Sequence, residues 1–384
     1  MSAWEGKYVI GITGNIATGK SVVRKMLEHL GAQGIDADRL AHRAIAKGAP
    51  GYEPVINAFG QWILGPDGEI ERPKLGRLVF ADADALASLE EIVHPLVRQA
   101  IEVLIRRSRR RVIAIEAIKL YESSLSSMCD SIWVTWAPRE LQVERLMEKR
   151  SLTQQDAALR IDAQPPQEEK VAAADLLIRN DGGFETTWDK VLEAWEAIVP
   201  LVETGDLATE KDEEPPAEPA PDDLVVERAR PSQAKELAEL INRLSNGSML
   251  MTRGDVMAAF GEKAFLVLQS NGGPVGLLGW QVENLVARTT DVLLKDDVPL
   301  DSSMETLMGE VERAAKDLQC EASLLFLPEK MAADEKIWAD LGYQASSVDD
   351  LGVRAWQEAA RESMPEQTVL FFKRLREDRV LRPV

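Results

Sequence analysis

The run Gly11-Ile12-Thr13-Gly14-Asn15-Ile16-Ala17-Thr18-Gly19-Lys20-Ser21 brings three glycines, a lysine and a serine together directly behind the apolar Tyr8-Val9-Ile10. From Gly14 to Ser21 it fits GxxxxGK[ST] at each fixed position. Glycines at that spacing let successive backbone N–H groups turn inward around a phosphate, and a helix starting near Lys20 adds its positive end. Lys20 then reaches the β and γ phosphates while the Ser21 hydroxyl joins a Mg²⁺ shell. The expected nucleotide-binding residues are Gly14, Asn15, Ile16, Ala17, Thr18, Gly19, Lys20, Ser21 and Val22. The expected ligand is a nucleoside triphosphate.

Triphosphate chemistry also needs an acid or base near the acceptor. Gly34-Ile35-Asp36-Ala37-Asp38-Arg39 places two carboxylates two residues apart, on one side if the stretch is extended. Either suits the N-cap of a helix over about 39–47. Either also suits a base facing the γ phosphate, since a carboxylate after the second strand of such a fold lies across the cleft from the loop.

These groups require elements to hold them. Strand-length apolar runs at 8–12, 112–115, 132–136 and 176–178 alternate with amphipathic helical stretches, which predicts a parallel sheet with helices on both faces. Ligands in such α/β folds gather at the carboxyl ends of the strands, and the glycine run sits at one.

Composition sets the bounds. The chain has 384 residues and 45% hydrophobic content, enough for two or three domains with cores. Its 45 basic and 64 acidic side chains give a net charge of -19, which disfavours nucleic acid as a partner. No apolar stretch reaches bilayer length and MSAWEGKYVI lacks a secretory pattern, so the expected location is cytoplasmic, with no membrane partner. Cys129 and Cys320 lack C-x-x-C spacing and read as reduced packing residues. Residues 204–223, TGDLATEKDEEPPAEPAPDD, hold acids and prolines with almost nothing to bury. They read as an extended linker between domains at 1–203 and 224–384.

The ordered set "VIGITGNIATGKS", "GIDADRLAH", "HPLV", "RLMEKR" and "AADLLIRNDG" resembles the dephospho-coenzyme A kinase family over nearly all of residues 7–200. The resemblance implies a P-loop kinase core with a helical substrate region and a lid. Its expected reaction transfers the γ-phosphoryl group of ATP to the ribose 3'-hydroxyl of dephospho-coenzyme A. By resemblance, Asp38 is the base near that hydroxyl and Asp36 supports the loop or a metal-bound water. His94 and Pro95 are the substrate-side pair, with Arg98 neutralising an acceptor phosphate. Arg145, Arg150 and Arg160 fall around the lid, where guanidinium groups clamp phosphoryl oxygens. Their bland alternative is a solvated face paired with Glu144 or Glu148.

One stretch departs from the family pattern. In place of D-x-P-L-L-F-E the chain reads Glu116-Ala117-Ile118-Lys119-Leu120-Tyr121-Glu122. Glu116 is expected, with Ser21, to serve Mg²⁺. Lys119 is expected to pair with a substrate phosphate or with Glu122. This stretch keeps open a kinase of another small hydroxyl or nucleotide acceptor.

In the C-terminal part the order of elements and "IWADLGYQ" resemble the Gcn5-related acetyltransferase fold, an α+β domain. The Gly-rich pyrophosphate loop of that family is replaced by Lys295-Asp296-Asp297-Val298-Pro299-Leu300-Asp301. Acids there repel phosphate and proline removes an amide donor. A protein-binding or stabilising module is therefore expected, with an active acyltransferase as the alternative.

Overall fold

A computed structural model describes residues 4–150, 152–203, 224–270 and 272–377. The expected linker at 204–223 and Asn271 lie outside the described residues. By contacts the chain forms two compact units: the described residues up to Lys20 with Gln33–Asp181, and Ser21–Ala32 with Gly182–Glu377.

The chain runs β1 (Tyr8–Thr13), α1 (Lys20–Leu30), β2 (Gln33–Asp36), α2 (Ala37–Ala44), α3 (Tyr52–Phe59), α4 (Arg72–Ala81) and α5 (Ala83–Arg107). It continues with β3 (Val112–Glu116), β4 (Ser131–Trp136), α6 (Arg139–Arg150), α7 (Gln154–Asp162), α8 (Gln167–Ala172), β5 (Leu176–Arg179) and α9 (Phe184–Glu203). The five strands form one sheet in the order β2-β3-β1-β4-β5, parallel throughout. β1 and β3 read as continuous apolar runs because Val9, Ile10, Ile12, Ile113, Ala114 and Ile115 are buried, as a sheet covered on both faces requires. β1 lies between β3 and β4, so the chain leaves its carboxyl end where the winding direction reverses. A ligand crevice opens at such a point.

The second unit follows with β6 (Val225–Arg228), α10 (Ala234–Leu244), α11 (Arg253–Ala259), β7 (Ala264–Ser270), β8 (Gly273–Glu283), β9 (Val286–Leu294) and α12 (Leu300–Asp317). Then come β10 (Ala322–Pro328), α13 (Glu329–Ala332), α14 (Glu335–Asp340), β11 (Gln344–Ala345), α15 (Arg354–Ser363) and β12 (Thr368–Arg374). Its sheet has the order β11-β12-β10-β9-β8-β7-β6. Pairing is antiparallel except between β9 and β10, which run parallel only from Val286↔Ala322 to Thr289↔Leu325. Met304, Leu307, Met308 and Val311 of α12 pack with Leu266, Leu278, Leu325 and Leu327 on one face. Trp356, Ala359 and Ala360 of α15 pack with Leu324, Phe326 and Leu370 on the other.

α1 contributes its last turns to this unit. Lys25 Nζ donates to Val282 O (2.8 Å) and the Arg228 guanidinium to Glu28 O (3.2 Å). The His29 ring sits edge-on to Phe260 and Trp188, with Nε2 2.6 Å from Phe260 O. A carbonyl only accepts, so Nε2 carries a proton. Burial lowers the His29 pKa to about 4.

Candidate active site

The glycine run adopts a backbone that its sequence makes affordable. Gly14 has φ +147° and Gly19 φ +99°, where a side chain is disfavoured. A Cβ on Gly19 would collide with Asn180 Nδ2, and one on Gly14 with Thr135 O. Ala17 is left-handed at φ 60°, strain of the kind held at phosphate loops.

Several groups fix the loop from outside. Asn180 Nδ2 donates to Thr18 O (3.0 Å). Gln164 Oε1 accepts from Ile16 N (2.6 Å), and Asn15 Nδ2 donates to Pro165 O (2.8 Å). The buried Thr18 and Thr135 hydroxyls share a 2.7 Å hydrogen bond. Arg145 on α6 donates from one guanidinium to Ala17 O (3.1 Å) and Asn180 O (3.0 Å).

Lys20, at the first position of α1, is 7% exposed. Its ammonium donates to Gly14 O and Asn15 O, both at 3.0 Å. Burial pulls its pKa down, opposed by the carboxylates of Glu116, Asp38 and Asp36. A buried lysine facing acids at the mouth of an amide-lined loop is a cation placed for phosphate. Ser21 and Val22 follow it in α1.

The two aspartates divide. Asp36 ends β2 and caps α2, its Oδ1 accepting from Arg39 N at 2.9 Å. Asp38 lies in the first turn of α2, so the extended, same-side arrangement does not occur. A helix starting at Ala37 turns the second carboxylate away from the first. Asp38 Oδ2 accepts from Ile118 N at 3.2 Å. Burial raises its carboxyl pKa, offset by that hydrogen bond and by Lys20. Glu116 ends β3 and is 5% exposed, beside β1 through the Ile12↔Glu116 register. Lys20, Asp38 and Glu116 thus gather at the carboxyl edge of the sheet.

The expected substrate-side residues lie elsewhere on the same unit. His94 and Pro95 fall inside α5. Arg98 Nε pairs with Glu102 Oε1 (3.0 Å), and Nη1 donates to Ser124 O (3.1 Å). Lys119 pairs with Glu90 (2.7 Å). Glu122 is instead 4.0 Å from Lys170, because α8 brings that lysine to the turn after β3. Arg160 is exposed on α7. The side chain of Arg150 lies outside the described residues.

Sequence reasoning assigned no role to Asn180, Thr135, Gln164, Ile118 or Lys170. Asn180 stood inside the resembling stretch "AADLLIRNDG", which was the available signal. Ile118 stands in the stretch that departs from the family pattern, and Thr135, Gln164 and Lys170 touch the site across more than fifty residues of chain. Among the described residues, no group of three or more His, Cys, Asp or Glu side chains is placed to hold a metal ion.

Residues 8–186 match the family model of dephospho-CoA kinase. The dephospho-CoA kinase of Carboxydothermus hydrogenoformans is 42% identical over 187 residues, covering 48% of this chain and 91% of that protein. That of Geobacter sulfurreducens is 40% identical over 190 residues, covering 49% and 96%. The C-terminal part is similar to a crystal structure of a GNAT-family acetyltransferase from Staphylococcus aureus. That match has 15% identity and a TM-score of 0.31, and covers 40% of this chain and 100% of that one.

Proposed function

The chain belongs to the dephospho-CoA kinase family, and on that footing we propose that it phosphorylates the ribose 3'-hydroxyl of dephospho-coenzyme A with ATP to give coenzyme A. The observation that carries the reading is the buried Lys20 ammonium at the loop mouth, facing Glu116 and Asp38. Lys20 and Arg145 supply positive charge to the phosphoryl oxygens in a cleft of low dielectric. Asp38 takes the proton of the attacking hydroxyl, and its burial-raised pKa brings it nearer that task. The resemblance assigns His94, Pro95 and Arg98 to the acceptor side, and Arg98 would then exchange Glu102 for substrate phosphate. Ser21 and Glu116 offer hydroxyl and carboxylate oxygens, a hard donor set that fits Mg²⁺ completed by ATP phosphates. Bound there, Mg²⁺ would neutralise charge on the β and γ phosphates. The test is ADP release by the purified full chain with a panel of acceptors, and phosphorylated product identified by mass. Turnover with dephospho-coenzyme A far above nucleoside monophosphates and small alcohols is expected. Preference for another acceptor would overturn the reading.

We also propose the division 1–203, linker 204–223, and 224–384, with the last range a protein-binding or stabilising module and the whole working in the cytoplasm, where ATP is available. Supporting the module's non-catalytic reading, α12 opens at Pro299, which has no N–H, with Asp301 in its first turn. Lys295, the one cation of the preceding stretch, is already paired with Asp297 at 2.9 Å. Titrating the full chain with acetyl-coenzyme A, at saturating dephospho-coenzyme A, should give no micromolar binding. Micromolar binding would restore the acyltransferase.

A further inference from the structure

The turn after β3 is pinned on every side. Ala117 N donates to Ile12 O of β1 (3.0 Å). Ile118 O accepts from Thr13 Oγ1 (3.1 Å) and Lys170 Nζ (2.8 Å). Thr13 is fully buried and Lys170 is 6% exposed, so these bonds compete little with water. Between those anchors the Ile118 N–H points out of the turn to α2 and meets Asp38 Oδ2 at 3.2 Å. Asp38 Oδ1 accepts no hydrogen bond from the described residues.

We infer that the backbone N–H of Ile118 is a positioning group for phosphoryl transfer: it holds one oxygen of Asp38 and so presents the other to the acceptor hydroxyl. The inference rests on the reading of Asp38 as the base. A carboxylate on the first turn of a helix otherwise turns about its χ2 torsion, and a base must stay within hydrogen-bond reach of the proton it removes. Here the donor is backbone, and that backbone is tied to β1 and α8, so it is already in place before the acceptor arrives. The residue type matters for a reason the sequence exposes. The family pattern D-x-P-L-L-F-E has proline at this position, which has no N–H to give; Ile118 has one. The charged groups facing Asp38 are Lys20 from α1, Glu116 from β3 and Lys170 from α8; none of them replaces a fixed donor on Oδ2.

The test removes the N–H. Ile118→Pro does so by mutation, and an α-hydroxy-acid analogue of isoleucine at 118, which turns the amide into an ester, does so without a change of side chain. Each is expected to lower kcat about ten-fold, with KM for ATP and dephospho-coenzyme A within about two-fold of wild type. Ile118→Val, which keeps the donor, is expected to retain a kcat well above that of the ester variant. Thermal unfolding and ATP affinity of the ester variant identify any loss of fold. Wild-type kcat in the ester variant, or an equal loss in Ile118→Val, overturns the inference. Asp38→Asn separates the two levels. If it is inactive while the ester variant is fully active, only the positioning role fails. If it turns over normally, the base reading fails and takes this one with it.

Discussion

At the scale of single residues, Lys20 and Asp38 carry the sharpest expectations. Lys20→Ala and Asp38→Asn are each expected to lower kcat by at least about 100-fold, with far-ultraviolet circular dichroism unchanged; activity within a few-fold of wild type in either would refute its role. Gly19→Ala tests geometry. A methyl group at φ +99° and against Asn180 is expected to cost about 1–3 kcal/mol and to weaken ATP binding, read by denaturant unfolding and nucleotide titration. The loop itself was legible because its glycines, lysine and serine act through local backbone. Asp38 was visible as a carboxylate, but its partner Ile118 is eighty residues away in sequence, and the β2–β3 register, with Asp36 opposite Glu116, brings the two together. Asp36 was legible as one of two candidate caps, because its partner Arg39 N is three residues on; Lys119 bound to Glu90 was hidden, because that partner comes from α5.

At the scale of elements, strands were read best where burial is two-sided. β1, β3, β4 and β5 stand within a residue or so of the apolar runs, while β2, Gln33-Gly34-Ile35-Asp36, is short and half polar and has no such signature. α11, α15 and the two-residue β11 were not named from the sequence, although Ala355, Trp356, Ala359 and Ala360 give α15 an apolar face at helical spacing. Cys129 shows how an element silences a reactive group. It packs where a Cβ on Gly11 would stand, its Sγ 3.3 Å from Leu125 O, and burial raises its pKa to about 12. At pH 8 almost no thiolate forms. Cys320 is fully buried. Ellman's reagent is therefore expected to label neither cysteine in the native protein and both in guanidinium. α1 carries a pH expectation. His29 titrates near 6.5 when unfolded and about 4 when folded, so the unfolded chain binds the extra proton first as pH falls. Stability is whole above about pH 6.5 and declines down to about pH 4, by about 3 kcal/mol. His29→Gln is expected to be less stable at pH 8 but flatter through that window, measured by urea unfolding.

At the scale of the whole molecule, charge and composition announced two globular parts, and the sequence order of elements announced two sheets. What composition could not show is that contacts group the chain otherwise than its covalent order. Ser21–Ala32 and Gly182–Glu203 fall with the second unit, where His29, Phe184 and Trp188 meet Phe260 and Gly261. The Glu185 carboxylate is ion-paired there with Arg253. Such partners come from tertiary packing, and no linker signal marks them. A chain ending at residue 203 is expected to melt several degrees below the intact protein and to bind the dye ANS, since Trp188 and Phe184 would lose their cover; equal melting temperatures and no dye signal would refute this.

α1 begins in the phosphate loop and ends among the aromatic rings of the second unit. A chain cut within residues 204–223 therefore removes partners of Lys25, Glu28 and His29. Anyone trimming this kinase to the size of its shorter relatives would need to redesign the far end of that helix, replacing Lys25 and His29 with residues content in water.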